Sequence, residues 1–171
     1  GQTWHIEGPN GAGKSTLLSL VDGSNAKAYG QRIWLFGRRR GTGESVEDIR
    51  ARLGVVSAAI HGLIPRRTTA IDVVLSGFHD SAGLYERPSG LELQVARRWL
   101  SLLGLRDRER VRIRDLSFGD QRALLIARAM VKEPPLLIAD EPAHGLDDRR
   151  SRFVTDIIGA ISRQSSTSVL Y

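Results

Sequence analysis

Residues 8–15 constrain the fold of this chain more than any other segment. They read Gly-Pro-Asn-Gly-Ala-Gly-Lys-Ser, with a β-prone run before them at 3–7 and a helical pattern after them at 14–21. Glycines let a backbone curl so that successive amide hydrogens point at an anion, at the positive end of the following helix. A strand, a glycine-rich loop and a helix in this order therefore predict a phosphate-binding loop in an α/β fold.

Individual residues of this loop predict a site for ATP and a magnesium ion. Lys14 carries a compact charge that can reach the β- and γ-phosphates, and the Ser15 hydroxyl can coordinate the magnesium that accompanies ATP. The alternative is a glycine-rich turn that matches by accident, which the flanking strand and helix disfavour. The expected ATP contacts in the chain's own site are Gly8, Pro9, Asn10, Gly11, Ala12, Gly13, Lys14, Ser15 and Thr16.

An acidic pair follows a continuous apolar run at residues 136–139, which is typical of a strand buried on both faces of a parallel sheet. The pair, Asp140 and Glu141, would lie at the carboxyl edge of the sheet, where ligands of such folds bind. Asp140 could hold magnesium through water, and Glu141 could orient or deprotonate an attacking water. Such a pair is often only a helix cap or a surface feature, but a phosphate loop in the same chain favours the catalytic interpretation.

A second anion-binding helix start is predicted at residues 116–122, Leu-Ser-Phe-Gly-Asp-Gln-Arg. The hydroxyl of Ser117 and the free amides beside it, including that of Gly119, could hold an anion. Local physics alone favours a plainer interpretation, in which Ser117 is an ordinary N-cap and Asp120 completes a near capping box.

Composition narrows the classes of protein without naming a function. The chain has no cysteine and four scattered histidines, which argues against disulfides and zinc. It has neither a membrane-spanning apolar stretch nor a signal-peptide pattern, so we expect a cytoplasmic protein. The net charge of +6 would suit a polyanion such as nucleic acid, but the arginine clusters lack interleaved aromatic residues, and we expect a solvated surface.

Patterning along the chain predicts a nucleotide-binding core interrupted by a helical subdomain. We expect the core at residues 1–58 and 133–171 and the helical subdomain, with the Leu-Ser-x-Gly segment, at 59–132. Apolar spacing and Gly or Pro breaks set the elements. Expected strands are 3–7, 31–36, 54–57, 136–139 and 167–171, and expected helices are 14–21, 46–53, 70–75, 91–103, 121–131 and 147–162.

The chain resembles the ATP-binding cassette (ABC) ATPases over nearly its whole length. It has their motifs in the same order: the phosphate loop, the Leu-Ser-x-Gly segment, Asp-Glu-Pro and then Gly145-Leu146-Asp147. The resemblance implies a P-loop NTPase (RecA-like) core with a mainly parallel sheet and an inserted helical subdomain. It also implies a head-to-tail dimer, in which Ser117 and Gly119 contact the ATP of a partner cassette and Asp147 lies in the segment that links the two sites. ATP would close this dimer and hydrolysis would open it.

Within that family, residues 35–44, 54–57 and 75–78 are most similar to the second cassette of ModF-type proteins, which carry two cassettes in tandem. This resemblance implies a second cassette as partner, either a fused sister domain or another copy. It further implies the ATP-binding component of a transport system, on the inner face of the membrane with a permease subunit. Molybdate as the cargo follows only from the name of the subgroup.

Departures from the family pattern leave a second function open. Ala58 stands where the family has a glutamine that contacts magnesium and signals to membrane partners, and Phe118 and Asp120 replace glycine and glutamine. The alternative is therefore a nucleotide-gated clamp that acts on nucleic acid or a regulatory partner. We also expect the chain to be a fragment that lacks the adenine-stacking aromatic and the switch histidine. Trp4, inside the first strand, is expected to pack in the core rather than against a base.

Overall fold

The computed structural model describes residues 1–28 and 30–171, and it is built around a parallel sheet of four strands in the order β1-β6-β5-β4. Val56 of β4 lies opposite Ala139 of β5, and Leu137 of β5 lies opposite Val169 of β6. A separate antiparallel ribbon pairs β2 with β3. The strands are β1 Thr3–Trp4, β2 Trp34–Leu35, β3 Arg38–Arg39, β4 Leu53–Val56, β5 Leu136–Ala139 and β6 Ser168–Leu170.

Seven α-helices occur in residues 1–28 and 30–171, and six of them begin at a side-chain cap. At each of these six, a hydroxyl or carboxylate accepts a hydrogen bond from the backbone N–H three residues on, which satisfies an amide that the helix leaves free. The helices are α1 Lys14–Asp22, α2 Val46–Ala51, α3 Ala58–Leu63, α4 Ala70–Leu75, α5 Gly90–Leu102, α6 Phe118–Met130 and α7 Asp148–Gln164. The caps are Ser45, Ser57, Thr69, Ser89, Ser117 and Asp147.

Helix α6 is the most deeply buried helix and packs directly on the sheet. Residues 123–127 of α6 are completely inaccessible to solvent. The helix approaches β4 so closely that a Cβ added to Gly54 would lie 2.6 Å from the carbonyl oxygen of Ala129. One hydrophobic cluster continues from the sheet through α6 to α4 and α5. The boundaries of the core and the helical subdomain stay a prediction.

Most expected elements occur close to their predicted positions, but two expectations are wrong. The run at 31–36 is not a strand of the main sheet, because only Trp34–Leu35 is extended and it turns back through Phe36 and Gly37 to pair with β3. Trp4 is not in the core: β1 is an edge strand and the Trp4 side chain is 63% exposed. Helix α3 was not expected. Ser57, a favourable N-cap residue directly before it, is the sequence signal that could have predicted it.

None of the helices in the described residues has the length and apolarity that crossing a bilayer would need.

A partly buried polar cluster connects α3 to the beginning of α6. His61 Nε2 lies 2.9 Å from Gln121 Oε1, and Gln121 Nε2 donates to the carbonyl oxygen of Leu116, so the His61 nitrogen acts as the donor. Arg122 is buried beside them, with its Nε and Nη1 atoms unbonded among the described residues and its guanidinium 5.9 Å from the ring centre of Phe118. Desolvation and then the charge of Arg122 lower the pKa of His61 below its ordinary value.

The close approach of α6 to β4 predicts that a glycine-to-alanine change has opposite effects on stability at Gly54 and at Gly62. Gly54→Ala should lower the free energy of unfolding by about 1–3 kcal/mol, because the new methyl group meets backbone that cannot swing aside. Gly62→Ala is the control: it is exposed in α3 with open space around it, and it should raise stability by up to about 1 kcal/mol. Urea unfolding measures both, and equal losses would contradict the packing.

The His61 cluster predicts a stability that falls as the pH is lowered. Because the folded pKa is below the unfolded one, the unfolded chain binds the extra proton, so stability is complete above the unfolded pKa and declines below it. Between about pH 7.5 and about pH 5.5, wild type should lose more unfolding free energy than His61→Gln, whose amide can still donate to Gln121. Parallel losses in the two proteins would show that His61 does not contribute.

Candidate functional site

The loop at residues 8–15 leaves the first amides of α1 open. Gly11 and Gly13 have φ angles of +83° and +92°, in the left-handed region that favours glycine, and the amide of Ala12 donates to the carbonyl of Pro9 at 3.1 Å. Gly13 stands at the N-cap of α1 and has no side chain with which to cap it. The N-terminus of α1 is therefore a place where backbone N–H groups and the helix dipole favour an anion.

Lys14 folds back over this loop. Its Nζ atom donates to the carbonyl oxygens of Gly8 and Pro9, at 2.8 and 3.2 Å. The two carbonyls hold the ammonium beside the amides, so one positive charge lies next to the open helix end.

A hydrogen bond joins this loop to the end of β5. Ser15 Oγ donates to Asp140 Oδ1 at 3.0 Å, and the Asp140 amide donates to the carbonyl of Val56, which continues the β4–β5 pairing by one residue. Asp140 is thus fixed by the sheet, whereas Ser15 is fixed by the first turn of α1. A hydroxyl and a carboxylate oxygen side by side are ligands that magnesium prefers.

Glu141 lies in the same cavity as the loop. The cavity has a volume of about 290 Å³ and is lined by Asn10, Gly11, Gly13, Lys14, Ser15, Thr16 and Glu141. Glu141 has a φ of +47°, an uncommon backbone conformation for a residue with a side chain, and such strain is concentrated at functional sites. Nδ1 of His144 lies 3.3 Å from Glu141 Oε2. Of the expected ATP contacts, Gly8, Pro9 and Ala12 shape the loop but do not line this cavity.

The beginning of α6 lies outside that cavity. Ser117 caps the helix, accepting from the Asp120 amide at 3.2 Å, as the plainer interpretation expects, but the Asp120 carboxylate pairs with Arg108 Nη1 at 3.3 Å and does not complete a capping box. Phe118 is 51% exposed, whereas Gly119 is buried. Among the described lining residues of the cavity none comes from α6, so the structure does not bring Ser117 and Gly119 to the chain's own loop.

Asp147 caps α7 beside this second segment. Its Oδ1 accepts from the Arg150 amide at 3.0 Å, and its Oδ2 lies 3.3 Å from Arg150 Nη1. Ala58, at the expected glutamine position, is the first residue of α3 and offers no side-chain ligand. From the sequence, Arg150 belongs to one of the arginine clusters expected on a solvated surface, because an arginine in a charged first turn carries no more distinctive signal.

Comparisons with known proteins find relatives among ATP-binding proteins of ABC transporters. The family model for ABC transporters matches residues 1–144. ModF of Escherichia coli (strain K12), an ABC transporter ATP-binding protein, is 42% identical over 172 residues, which cover 100% of this chain and 35% of ModF. YlmA of Bacillus subtilis (strain 168), an uncharacterized ABC transporter ATP-binding protein, is 34% identical over 171 residues, which cover 99% of this chain and 64% of YlmA. The chain thus spans about a third of ModF and less than two thirds of YlmA.

Solved structures share the fold. CbiO1 of Clostridium perfringens, part of the ABC transporter complex CbiONQ, superposes with a TM-score of 0.80 at 22% identity, covering 99% of this chain and 65% of CbiO1. A dimeric ATP-binding cassette in a post-hydrolysis state with ADP and Pi superposes with a TM-score of 0.78 at 22% identity, covering 99% of this chain and 73% of that one. The family match over most of the chain, with the parallel sheet and the phosphate loop, shows that the chain belongs to the ABC transporter family as an ATP-binding cassette of the ABC ATPase type.

Proposed function

We propose that the chain binds Mg-ATP at residues 8–16 and hydrolyses it at a head-to-tail interface with a second cassette. The observation that carries the proposal is the 3.0 Å hydrogen bond between Ser15 Oγ and Asp140 Oδ1, because it brings the loop and the acidic end of β5 to one place. Phosphoryl transfer asks a protein mainly for positioning and charge stabilisation, and this cavity offers both.

In this proposal the loop amides and Lys14 bind the phosphates. Among the described residues, the Lys14 ammonium is bonded to two neutral carbonyls, and a phosphate oxygen can replace one of these bonds with a stronger, charge-assisted one. Ser15 and Asp140 fit magnesium, since it takes oxygen ligands and is commonly held by one or two protein groups, substrate phosphates and water. Bound there, magnesium would neutralise charge that develops on the phosphates.

Glu141 is the proposed base. It follows Asp140 directly, its side chain is partly open to solvent, and it lines the same cavity as Lys14 and Ser15. A carboxylate in this position can accept a hydrogen bond from water and orient it toward the terminal phosphate, or take its proton.

Ser117, Gly119 and Asp147 act in this proposal on a partner. They lie together outside the chain's own cavity, at the N-termini of α6 and α7, where free amides favour an anion that another subunit presents. A solved cassette with this fold is dimeric, which supports the proposal that this chain pairs with a second cassette. The composite site would close when ATP is bound, because both halves contact the same nucleotide.

For the intact protein we propose the ATP-binding role in a transport system. MntB of Bacillus subtilis (strain 168) is a manganese transport system ATP-binding protein and is 31% identical over 164 residues, which cover 95% of this chain and 62% of MntB. Molybdate is the cargo in this proposal by resemblance to the ModF subgroup alone. The clamp on nucleic acid is the second candidate, favoured by Ala58 in place of glutamine and by the net charge of +6.

Hydrolysis by the intact protein tests the role of Glu141. Glu141→Gln should lower kcat for ATP hydrolysis by about a hundredfold or more, because the amide cannot accept a proton, while ATP binding stays within about twofold of wild type. Glu133→Gln is a matched control, since Glu133 is also an exposed glutamate with a left-handed backbone, at φ +49°, but lies after α6. Hydrolysis at the wild-type rate by Glu141→Gln would refute the assignment of Glu141.

Purification of the intact protein from its own host tests the transport role. We expect a membrane protein of several helices to co-purify after mild detergent extraction, because a transport ATPase must couple to a permease. The competing outcome is nucleic acid that co-purifies and is released as salt is raised, since phosphate contacts weaken steeply with ionic strength. That outcome would overturn transport in favour of the clamp.

A further inference from the structure

We propose that Arg150 of α7 is a positioning residue at the interface between cassettes. Arg150 joins the Leu-Ser-x-Gly segment, residues 116–119, to Asp147, and it neutralises Asp147 beside the anion-accepting end of α6. This inference rests on the proposed function, because both segments act on ATP only if a second cassette presents its nucleotide to them.

The stem of Arg150 lies directly on the backbone of Gly119. A Cβ added to Gly119 would lie 3.0, 3.1 and 3.3 Å from Cδ, Cγ and Cβ of Arg150. Gly119 is buried, although its neighbour Phe118 is 51% exposed. A Cβ at position 119 would press on the arginine stem, which would have to give way by a few tenths of an ångström.

The same residue holds Asp147 through two groups. Its backbone amide donates to Asp147 Oδ1 at 3.0 Å, and its Nη1 lies 3.3 Å from Asp147 Oδ2. Arg150 therefore contacts both segments that the proposed function turns toward a partner. A shift of one segment must move the other or break one of these contacts.

Arginines pair with carboxylates around the start of α6. Two of the carboxylates in this region each have an arginine within 3.3 Å: Arg108 for Asp120, in the first turn of α6, and Arg150 for Asp147. An unpaired carboxylate here would repel an incoming phosphate across a short distance. The pairing keeps the N-terminus of α6 attractive to an anion.

Helix stability does not account for an arginine at this position. Cations are unfavourable in the first turn of a helix, where the dipole is positive, and α7 already has Asp147 and Asp148 at its start. The exposed Asp147–Arg150 pair contributes little stability by itself. Its contact with Gly119 gives the arginine a role that depends on the α6 segment instead.

Three variants of the intact protein test this role. Arg150→Ala removes stem and charge, and Arg150→Met keeps a stem without charge. Arg152→Ala is the control, because Arg152 is an exposed arginine on the same helix but points about 200° away from Arg150 around the helix axis. We expect kcat to fall about threefold to tenfold in Arg150→Ala, less in Arg150→Met, and not in Arg152→Ala.

Two further measurements separate positioning from simple loss of structure. Affinity for a fluorescent ATP analogue in the chain's own site, and the midpoint of thermal unfolding, should be the same in Arg150→Ala and Arg152→Ala. Gly119→Ala should impair hydrolysis strongly in wild type and less in the Arg150→Ala background, where the methyl group has room.

The outcomes distinguish this inference from the proposed function. Wild-type protein that binds ATP but never hydrolyses it would refute the proposed function, whatever Arg150 does. Active wild type with equal kcat in Arg150→Ala and Arg152→Ala would overturn the role of Arg150 alone. A fall in kcat matched by a fall in the unfolding midpoint, or purely additive effects of Gly119→Ala and Arg150→Ala, would show an ordinary structural contact.

Discussion

Strand β5 pairs on both sides, with β4 and β6, and the position of the acidic residues depends on this pairing. The parallel ladder continues to the amide of Asp140, which donates to the carbonyl of Val56. Asp140 is therefore held by a backbone hydrogen bond directly after the end of β5. The next residue, Glu141, has a left-handed backbone, and its side chain lines the same cavity as the loop. Helix α6 packs against β4, so the apolar core also fixes the position of the strand end from which Asp140 and Glu141 extend.

The sequence predicts the strand, loop and helix that carry this half of the proposed site, because the signals for these elements are local. A glycine-rich run before a helical pattern indicates the loop and the helix start, and an apolar run before an acidic pair indicates the end of a buried strand. Gly13, Lys14 and Asp140 accordingly lie where spacing places them. The helices at 70–75 and 90–102 are found for the same reason, since their caps and apolar spacing agree.

The errors of prediction come from pairing, which short segments do not specify. The run at 31–36 has the apolar composition of a strand, but whether it joins the main sheet or folds back on Arg38–Arg39 depends on neighbours far along the chain. Trp4 is in a strand, yet it lies at the edge of the sheet, and composition cannot tell an edge from a centre. The contact of Arg150 with Gly119 is missed for a related reason. It joins α7 to α6, and no local sequence pattern predicts which helices pack together.

The two halves of the proposed composite site differ in how they are held, and this difference matters for closure. The loop half is fixed by the Ser15–Asp140 hydrogen bond and the sheet behind it. The other half stands on two helix N-termini that meet through the stem of one arginine. Amides at helix ends are attractive to phosphate without any rearrangement, but they act together only if α6 and α7 keep their relative position. Val154, Ile158 and Ile161 pack α7 into the same apolar core as α6, and Arg150 bridges the two N-termini at the surface. In our proposal, loss of this surface bridge loosens the second half while the first is left intact.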